Sequence, residues 1–478
     1  MVLSLLIVKE ACGIFGIYAP GEDISRLIYF GLYALQHRGQ ESAGISVSSG
    51  RDIILYKDMG LVNQVFDEKI LGILKGEIGI GHVRYSTTGS SVPRNAQPLL
   101  VEGKKHKIAL AHNGNLINSE ELRKKLLQNE VNLVSTTDSE IIAYYIANSS
   151  QDKIEDAILE SLPKFKGAYS ILILTCKELI AIRDPYGIRP LSIGKLNSFY
   201  VFASETCALN TVGADYLREV QPGEVVIVDE NGLRSIIALP SKRKAICIFE
   251  FIYFARPDSY IYGKNLHLCR RRMGQILAEE KRTTGDIVIP LPDSGIPAAI
   301  GYAEKSKIPF GEGIIKNRYI LRTFIQPDQR MRELDVKMKL NPLKENLKNK
   351  RVILVDDSIV RGTTSKKLVK LLKESGAKEV HVRVSSPPIK YPCYYGIDMA
   401  THQELIASSH TVEEIKEILE ADSLYYLTIE GLISAVELPK EYFCLACFND
   451  DYPIKIPKQL EFSKFAFEKT STPTIMKR

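Results

Sequence analysis

The stretch Val355-Asp356-Asp357-Ser358-Ile359-Val360-Arg361-Gly362-Thr363-Thr364-Ser365 decides how the second half of this chain is read. It ends the apolar run Arg351-Val-Ile-Leu-Val355, which reads as a buried strand, and it leads into a helical pattern from Lys366 to Leu372. A strand that delivers two adjacent carboxylates to a sheet edge offers acceptors for a vicinal sugar diol, or oxygen ligands for a hard cation such as Mg²⁺. The turn at Gly362 and three hydroxyls then open a helix, and the first N–H groups of a helix form an anion site. Diol, metal and phosphate in one loop describe a ribose 5-phosphate carrying a further anionic group. A strand followed by an Asp-capped helix with no ligand is the plainer reading of a lone Asp-Asp; the complete string outweighs it.

Two further strands fit the same sheet. Asp286-Ile-Val-Ile-Pro290 is continuous and apolar, and Glu379-Val-His-Val-Arg-Val384 follows a helix that closes at Gly376. Strand, loop, helix, strand is the pattern of a parallel α/β sheet, whose ligands sit at the carboxyl ends of the strands. Pro290-Leu-Pro-Asp-Ser-Gly-Ile-Pro297 occupies such an end, so Ser294 and Gly295 are placed to present a hydroxyl and bare N–H groups to pyrophosphate or its metal. Gln326 to Arg351 is highly charged and reads as a mobile loop. With Arg322, Lys337 and Lys339 it has the makings of a basic lid, or simply of a solvated loop. The string at 355–365 lacks the Gly-Lys-Ser/Thr of a Walker A loop. It resembles the binding motif of the type I phosphoribosyltransferases, which use phosphoribosyl pyrophosphate (PRPP). The resemblance implies that Asp356 and Asp357 hold the ribose hydroxyls near Mg²⁺, with Ser294 beside it. It also implies that Arg361, Gly362, Thr363, Thr364 and Ser365 bind the 5-phosphate end of PRPP.

The first half has a different style. Gly13-Ile-Phe-Gly-Ile-Tyr18, Ile78-Gly-Ile-Gly81, Ile108-Ala-Leu-Ala111 and Tyr169-Ser-Ile-Leu-Ile-Leu174 are short apolar runs bounded by turn residues, and predict buried strands. Asn118-Ser-Glu-Glu121 and Thr137-Asp-Ser-Glu140 read as capping boxes opening helices over Leu122–Asn129 and Ile141–Asn148. Sheets with helices outside them are expected. The style changes between residues 230 and 245. This divides the chain into a leader (1–11), a first domain (12–240), a second domain (241–451) and a polar tail (452–478).

Cys12-Gly-Ile-Phe-Gly16 directly follows the leader. A thiol is a strong nucleophile once a base or a lowered pKa activates it. If the leader were removed, Cys12 would carry a free α-amine, with a pKa near 7.7–8.0, beside its own sulfur. A small buried cysteine is the favoured reading of an isolated Cys-Gly. Polar clusters beside strands change that balance: Ala34-Leu-Gln-His-Arg-Gly-Gln-Glu-Ser-Ala-Gly44, Gly81-His-Val-Arg-Tyr-Ser-Thr-Thr-Gly89, Ala111-His-Asn-Gly-Asn115, Ser135-Thr-Thr-Asp-Ser-Glu140 and Arg183-Asp-Pro-Tyr-Gly-Ile-Arg-Pro190. Together they resemble the class II glutamine amidotransferases, an N-terminal-nucleophile fold. The resemblance implies that Cys12 is the nucleophile and that Arg84 and Asp138 hold the glutamine α-carboxylate and α-amino group. It further implies that Thr87 lines the pocket and that Asn113 and the Gly114 N–H form the oxyanion hole. Such roles suit the residue types, since a guanidinium pairs with a carboxylate and preorganised donors stabilise an oxyanion. His37, His82 and His112 share no metal-ligand spacing and are expected to be structural.

Phe443-Cys-Leu-Ala-Cys447 is a C-x₂-C motif, which by itself is redox, zinc or chance. Cys247 and Cys393 are natural further ligands, and composition alone slightly favours zinc over iron–sulfur. Cys176, Cys207 and Cys269 are expected to be ordinary buried cysteines. Eight cysteines in 478 residues are too few for a disulfide scaffold. The composition is that of a globular protein, 45% hydrophobic and 25% charged, with a net charge of 63 − 57 = +6. That balance gives no argument for nucleic acid. No run approaches the roughly 20 apolar residues of a membrane span, and no signal-peptide pattern is visible, which points to the cytoplasm.

From Cys12 to Asp451 the chain resembles the glutamine PRPP amidotransferase family, and within it the branch that has a propeptide and an iron–sulfur cluster. The implied fold is α/β: an αββα N-terminal-nucleophile sandwich followed by a type I phosphoribosyltransferase parallel sheet. The implied reaction is glutamine-dependent conversion of PRPP to 5-phosphoribosylamine, with ammonia passed internally. The resemblance also implies one Mg²⁺ and one structural [4Fe–4S] cluster per subunit, the latter on Cys247, Cys393, Cys444 and Cys447. Purine nucleotides as inhibitors and a homo-oligomer, dimer or tetramer, complete the expectation. Tyr85 and the segment Phe251 to Ser259 are candidates for linking the two sites. The competing readings are an amidotransferase with a sugar-phosphate acceptor, a PRPP- or purine-sensing regulator that retains the fold, and an iron–sulfur redox sensor.

Overall fold

The computed structural model describes residues 12–85, 89–241, 243–317, 340–397 and 402–456. The first domain is a four-layer sandwich. One antiparallel sheet has seven strands, with Gly13–Tyr18 between Phe199–Ala203 and Ile78–Arg84; the other has six, with Lys107–Leu116 between Leu99–Glu102 and Gly167–Leu174. Strand alternation builds the layers. Ile14 and Tyr18 face the gap between the sheets with Ile80, Ala111 and Leu172. Phe15 and Ile17 face outward, beneath helices Ser25–Ala34 and Thr206–Val212. Helices Ser119–Gln128, Asp138–Ala147 and Ile154–Ser161 cover the outer face of the second sheet. The order helix, sheet, sheet, helix is the αββα sandwich expected.

The two expected helices form, but neither capping box does. Asn118 makes no cap bond; its side chain instead accepts from Lys166 N at 3.0 Å and donates to Lys164 O at 2.9 Å. Glu140 turns to Val134 N, Ser135 N and the Ser135 hydroxyl, tying down the loop ahead of its helix.

The second domain is a four-stranded parallel sheet in the order Ile287–Pro290, Arg351–Asp356, Glu379–Val384, Ser423–Tyr426. Ile289, Val352, Leu354 and Val382 face helices Thr363–Glu374 and Val412–Leu419. Val288, Ile353 and Val355 face helices Leu266–Glu280, Ile296–Ser306 and Ile429–Val436. Burial on both faces explains why these strands read as unbroken apolar runs. The expected loop from Gln326 to Arg351 is partly ordered structure. Leu340–Pro342 pairs with Ile314–Lys316, and Lys344–Leu347 is a short helix. Arg322, Lys337 and Lys339, like the leader and residues 457–478, lie outside the described residues.

No break in the core separates the two halves. Ile117, Ala168 and Ile188 of the sandwich pack in one cluster with Ile246, Phe249, Phe251 and Phe443. Among the described residues no helix is long and apolar enough to cross a membrane.

Candidate functional site

Cys12 stands at the start of the strand Gly13–Tyr18, and Arg84 ends the antiparallel neighbour, so strand pairing alone brings them together. Cys12, Arg84, Tyr85, Gln97, His112, Gly114, Thr137, Asp138 and Ser139 line one small cavity. The Cys12 thiol donates to Tyr85 O at 3.3 Å. Burial raises its pKa, against the pull of that bond and of the nearby Arg84 and Arg38 guanidinium groups. Arg84 is buried and donates to Ser90 O at 3.1 Å and Gly89 O at 3.4 Å. Burial lowers its pKa, while Cys12, Glu41 and Asp138 act to keep its charge. Asp138 accepts from Leu116 N at 2.9 Å across from it. Gln97 and Ser139 brace the wall: Gln97 accepts from His112 N at 2.8 Å and donates to Ser139 Oγ at 3.1 Å.

Gly114 lines the cavity with φ +152°, and a Cβ there would meet Ala168 O at 2.0 Å. Asn113 precedes it, fully buried, and neither atom of its amide has a hydrogen-bond partner among the described residues. A buried amide without partners is costly, and a substrate oxygen or amide would satisfy it. Thr87 lies outside the described residues. His37 and His82 stay out of the pocket. His37 bonds Glu205 at 2.7 Å, and His82 contacts His112 O at 3.0 Å, burial holding its pKa down at about 3.

At the second site Asp356 and Asp357 end the strand Arg351–Asp356, both buried. Burial raises the pKa of both; Asp357 pushes Asp356 further up, while Ser294, Ser358 and Arg270 pull Asp357 back. Asp356 accepts from Asp357 N at 2.8 Å and Asp357 from the Ser358 hydroxyl at 2.7 Å, all neutral donors, so the two adjacent carboxylates fit further hydroxyl donors and a hard cation. The hydroxyl of Ser294, from the neighbouring strand end, already bonds Asp357, so the donor set is all oxygen and suits Mg²⁺. Gly362 caps helix Thr363–Glu374 with φ +73°, where a Cβ would meet Ile406 Cδ1 at 2.7 Å. Thr363, Thr364 and the buried Ser365 form the first turn, whose N–H groups have no partner within the helix. Arg361 beside it pairs with Glu404.

Cys247, Cys393, Cys444 and Cys447 line one apolar void with Ile188, Arg189, Phe249 and Tyr395. Parallel pairing places Cys247 opposite Cys444. All four are free thiols. Burial and mutual repulsion raise the pKa of Cys444 and Cys447, and burial pushes Cys247 up to about 12. Four thiols gathered this way suit a cationic centre that compensates their charge. Yet among the described residues no three His, Cys, Asp or Glu side chains are arranged to hold a single metal ion. Cys207 and Cys269 are buried as expected, whereas Cys176 is half-buried, its thiol directed at Arg51 O.

Sequence reading named the segment Phe251 to Ser259 as a candidate link between the sites, and that segment does lie in the seam: its carbonyls accept from Arg270, and Arg256 N and Ser259 Oγ donate to Glu205. The charged residues Arg38, Glu205, Glu250 and Arg270 were missed. Arg38 donates to Cys12 O at 3.1 Å, Glu205 at 2.5 Å and Glu250 at 2.9 and 2.7 Å. Burial works against its charge, but Glu250 and Glu205 outweigh it and keep the guanidinium firmly protonated. Glu250 opens the π-helix Glu250–Phe254, whose carbonyls accept from Arg270 (2.8 Å to Phe251 O), and Arg270 in turn lies near Asp357. The available signal was a lone Glu250 within Ile246-Cys-Ile-Phe-Glu-Phe-Ile252, since a charge inside an apolar run marks a buried ion pair.

A strand-end thiol in a polar pocket thus sits on a sandwich joined to a parallel sheet that carries two adjacent carboxylates at a strand end. A glutamine amidotransferase domain model matches residues 82–211, and a phosphoribosyl transferase domain model matches residues 262–387. The amidophosphoribosyltransferase of Synechococcus elongatus is 53% identical over 466 residues, covering 96% of this chain and 94% of the relative. That of Bacillus subtilis is 48% identical over 454 residues, covering 94% and 95%. The solved structure of the B. subtilis glutamine PRPP amidotransferase, complexed with ADP and GMP, superimposes with a TM-score of 0.89 at 47% identity, covering 94% of this chain and 98% of that one. The chain belongs to the amidophosphoribosyltransferase family.

Proposed function

We propose that this protein makes 5-phosphoribosylamine from glutamine and PRPP, releasing glutamate and pyrophosphate, as the first committed step of purine synthesis. The observation that carries this reading is the convergence of Cys12, Arg84, Asp138 and Gly114 on one cavity in a chain that also carries the Asp356–Ser365 loop. Residues 12–240 form the glutaminase and 241–451 the phosphoribosyltransferase.

With the leader removed, the Cys12 α-amine takes the thiol proton as sulfur attacks the glutamine carboxamide. Arg84 and Asp138 hold the amino-acid end, with Thr87 beside them. Asn113 and the Gly114 N–H take the oxyanion. Ammonia leaves, the proton returning through the same amine, and water hydrolyses the thioester to glutamate. At the second site Asp356 and Asp357 hold the ribose hydroxyls, and Arg361 to Ser365 hold the 5-phosphate while ammonia displaces pyrophosphate from C1. Asp356, Asp357 and Ser294 would hold one Mg²⁺ per subunit, which would neutralise charge on the departing pyrophosphate. Cys247, Cys393, Cys444 and Cys447 would hold one [4Fe–4S] cluster per subunit, which would act as a structural staple. The nucleotides in the B. subtilis complex support inhibition by purine nucleotides. The working form is a cytoplasmic homo-oligomer.

The test is glutamate and pyrophosphate release by anaerobically purified protein, with glutamine, PRPP and Mg²⁺ added singly and together. Equal release of both, only with all three present, is expected. Glutamate release without any need for PRPP overturns the assigned acceptor.

A further inference from the structure

The segment Pro392–Ile397 of the second domain packs against Gly114 and Asn115 beside the Cys12 cavity. Gly396 sits at φ +93°, and a Cβ there would meet backbone atoms of Gly114: C at 2.9 Å, O at 3.0 Å and Cα at 3.1 Å. Two glycines from different domains are thus pressed face to face, and neither tolerates a side chain. One residue along, the Asn115 side chain donates to Tyr394 O at 3.1 Å. Arg189 fixes the middle of the segment, donating to Tyr395 O from Nε at 3.0 Å and from Nη2 at 2.7 Å. The Tyr395 hydroxyl donates to Ile454 O at 2.7 Å, and Tyr452 donates to Pro392 O at 2.7 Å. The Tyr395 N–H points at Cys393 Sγ, 3.4 Å away. The segment is held at both ends and packs against the Cα and carbonyl of Gly114, the atoms that directly follow its N–H.

The geometry points to a strap: Tyr394–Gly396 is a positioning element that fixes the place of the Gly114 Cα and carbonyl, and through the Cα the place of its N–H, so that the second domain determines how well the first stabilises its oxyanion. The inference rests on the assignment of Asn113 and Gly114 as the oxyanion hole. Gly114 lies in the strand Lys107–Leu116 opposite Tyr169, in a backbone conformation that only glycine enters easily. On the other side it meets Ala168, so the strap removes the remaining freedom. Cys393 lies three residues before Gly396 in the sequence and lines the four-cysteine void. The void and the oxyanion peptide are therefore two ends of one short segment. A donor misplaced by a fraction of an ångström forfeits transition-state stabilisation without weakening substrate binding.

The test uses glutamate γ-semialdehyde, whose thiohemiacetal with Cys12 presents the oxyanion that glutamine itself shows only in the transition state. In holoenzyme, Gly396→Ala is expected to raise the semialdehyde inhibition constant roughly 10- to 100-fold and to lower glutamine kcat in parallel. KM for glutamine, the rate of Cys12 alkylation and ammonia-dependent synthesis should change less than about twofold. Asn115→Ala removes a clamp without crowding and should move the same readouts in the same direction by a smaller factor. It decides the matter if Gly396→Ala loses ammonia-dependent synthesis through misfolding. Asn113→Ala is the control. If it weakens semialdehyde binding while neither strap variant does, the strap is wrong and the oxyanion assignment stands. If Asn113→Ala leaves semialdehyde binding unchanged, the assignment itself fails, and the strap with it.

Discussion

Around Cys12 the charges are answered within the protein: Arg84 by the Gly89 and Ser90 carbonyls, Asp138 by the Leu116 N–H, Arg38 by Glu205 and Glu250. At the end of strand Arg351–Asp356 they are answered only by neutral donors at close range. Asp356 accepts from the Asp357 N–H and Asp357 from the Ser294 and Ser358 hydroxyls, with the Arg270 guanidinium farther off, and the helix-opening turn beyond them is partly exposed. The first site is built to receive a small molecule that brings one charge of each sign. The second leaves two buried carboxylates without a nearby cationic partner, an environment that suits hydroxyl donors and a hard cation. Preorganised dipoles can stabilise a transition state without reorganising; a site short of partners binds strongly but depends on its ligand for its own stability.

The comparison breaks first at the nucleophile. Cys12→Ala is expected to lower glutamine-dependent glutamate release by more than about 10⁴-fold while synthesis from added ammonia persists; loss of both, followed by pyrophosphate release, would show that the sites are not separate. Next is Asp357→Asn, which keeps shape and removes one charge. A charge-assisted bond contributes about 1.5–3 kcal/mol, so PRPP kcat/KM should fall roughly 10- to 150-fold with either nitrogen source. The same change should raise thermal stability without ligand, because it relieves repulsion with Asp356. A melting curve with and without PRPP and Mg²⁺ checks both halves of that statement.

The smallest effect concerns pH. His82 is buried neutral with its pKa lowered from 6.5 to about 3, so the unfolded chain binds the proton first. Its contribution is complete above pH 6.5 and is lost as the pH falls toward 3, amounting to about 1.4 kcal/mol at pH 5.5. His82→Asn should therefore flatten the dependence of unfolding on pH between 6.5 and 5. An unchanged slope would assign the acid sensitivity to other groups.

Much of this was legible beforehand where chemistry and periodicity coincide. The strands Gly13–Tyr18 and Glu379–Val384 have the bounds their apolar patterns predict, and the Asp-Asp string sits at a strand end as its residues require. Local signals failed where a side chain had a better partner far away. Asn118 and Glu140 look like caps in sequence, but loops that only the fold brings near claim their side chains. The seam through Arg38, Glu250 and Arg270 was invisible for the same reason, each partner lying tens to hundreds of residues off. Gly396 illustrates the limit: nothing in Tyr-Tyr-Gly-Ile says which peptide it will rest against.

The Arg38 guanidinium has one carboxylate from each half of the chain. Breaking a buried pair by removing one partner costs about 3–5 kcal/mol, so excising the second domain would leave Arg38 with half of its counter-charge and would expose the phenylalanines of the shared core. The amidotransferase half is accordingly not a portable cassette. Grafting it onto another acceptor domain requires that the new partner supply a carboxylate in the place of Glu250, and a shuffled pairing that lacks one would be selected against as a folding defect before its chemistry was ever tried.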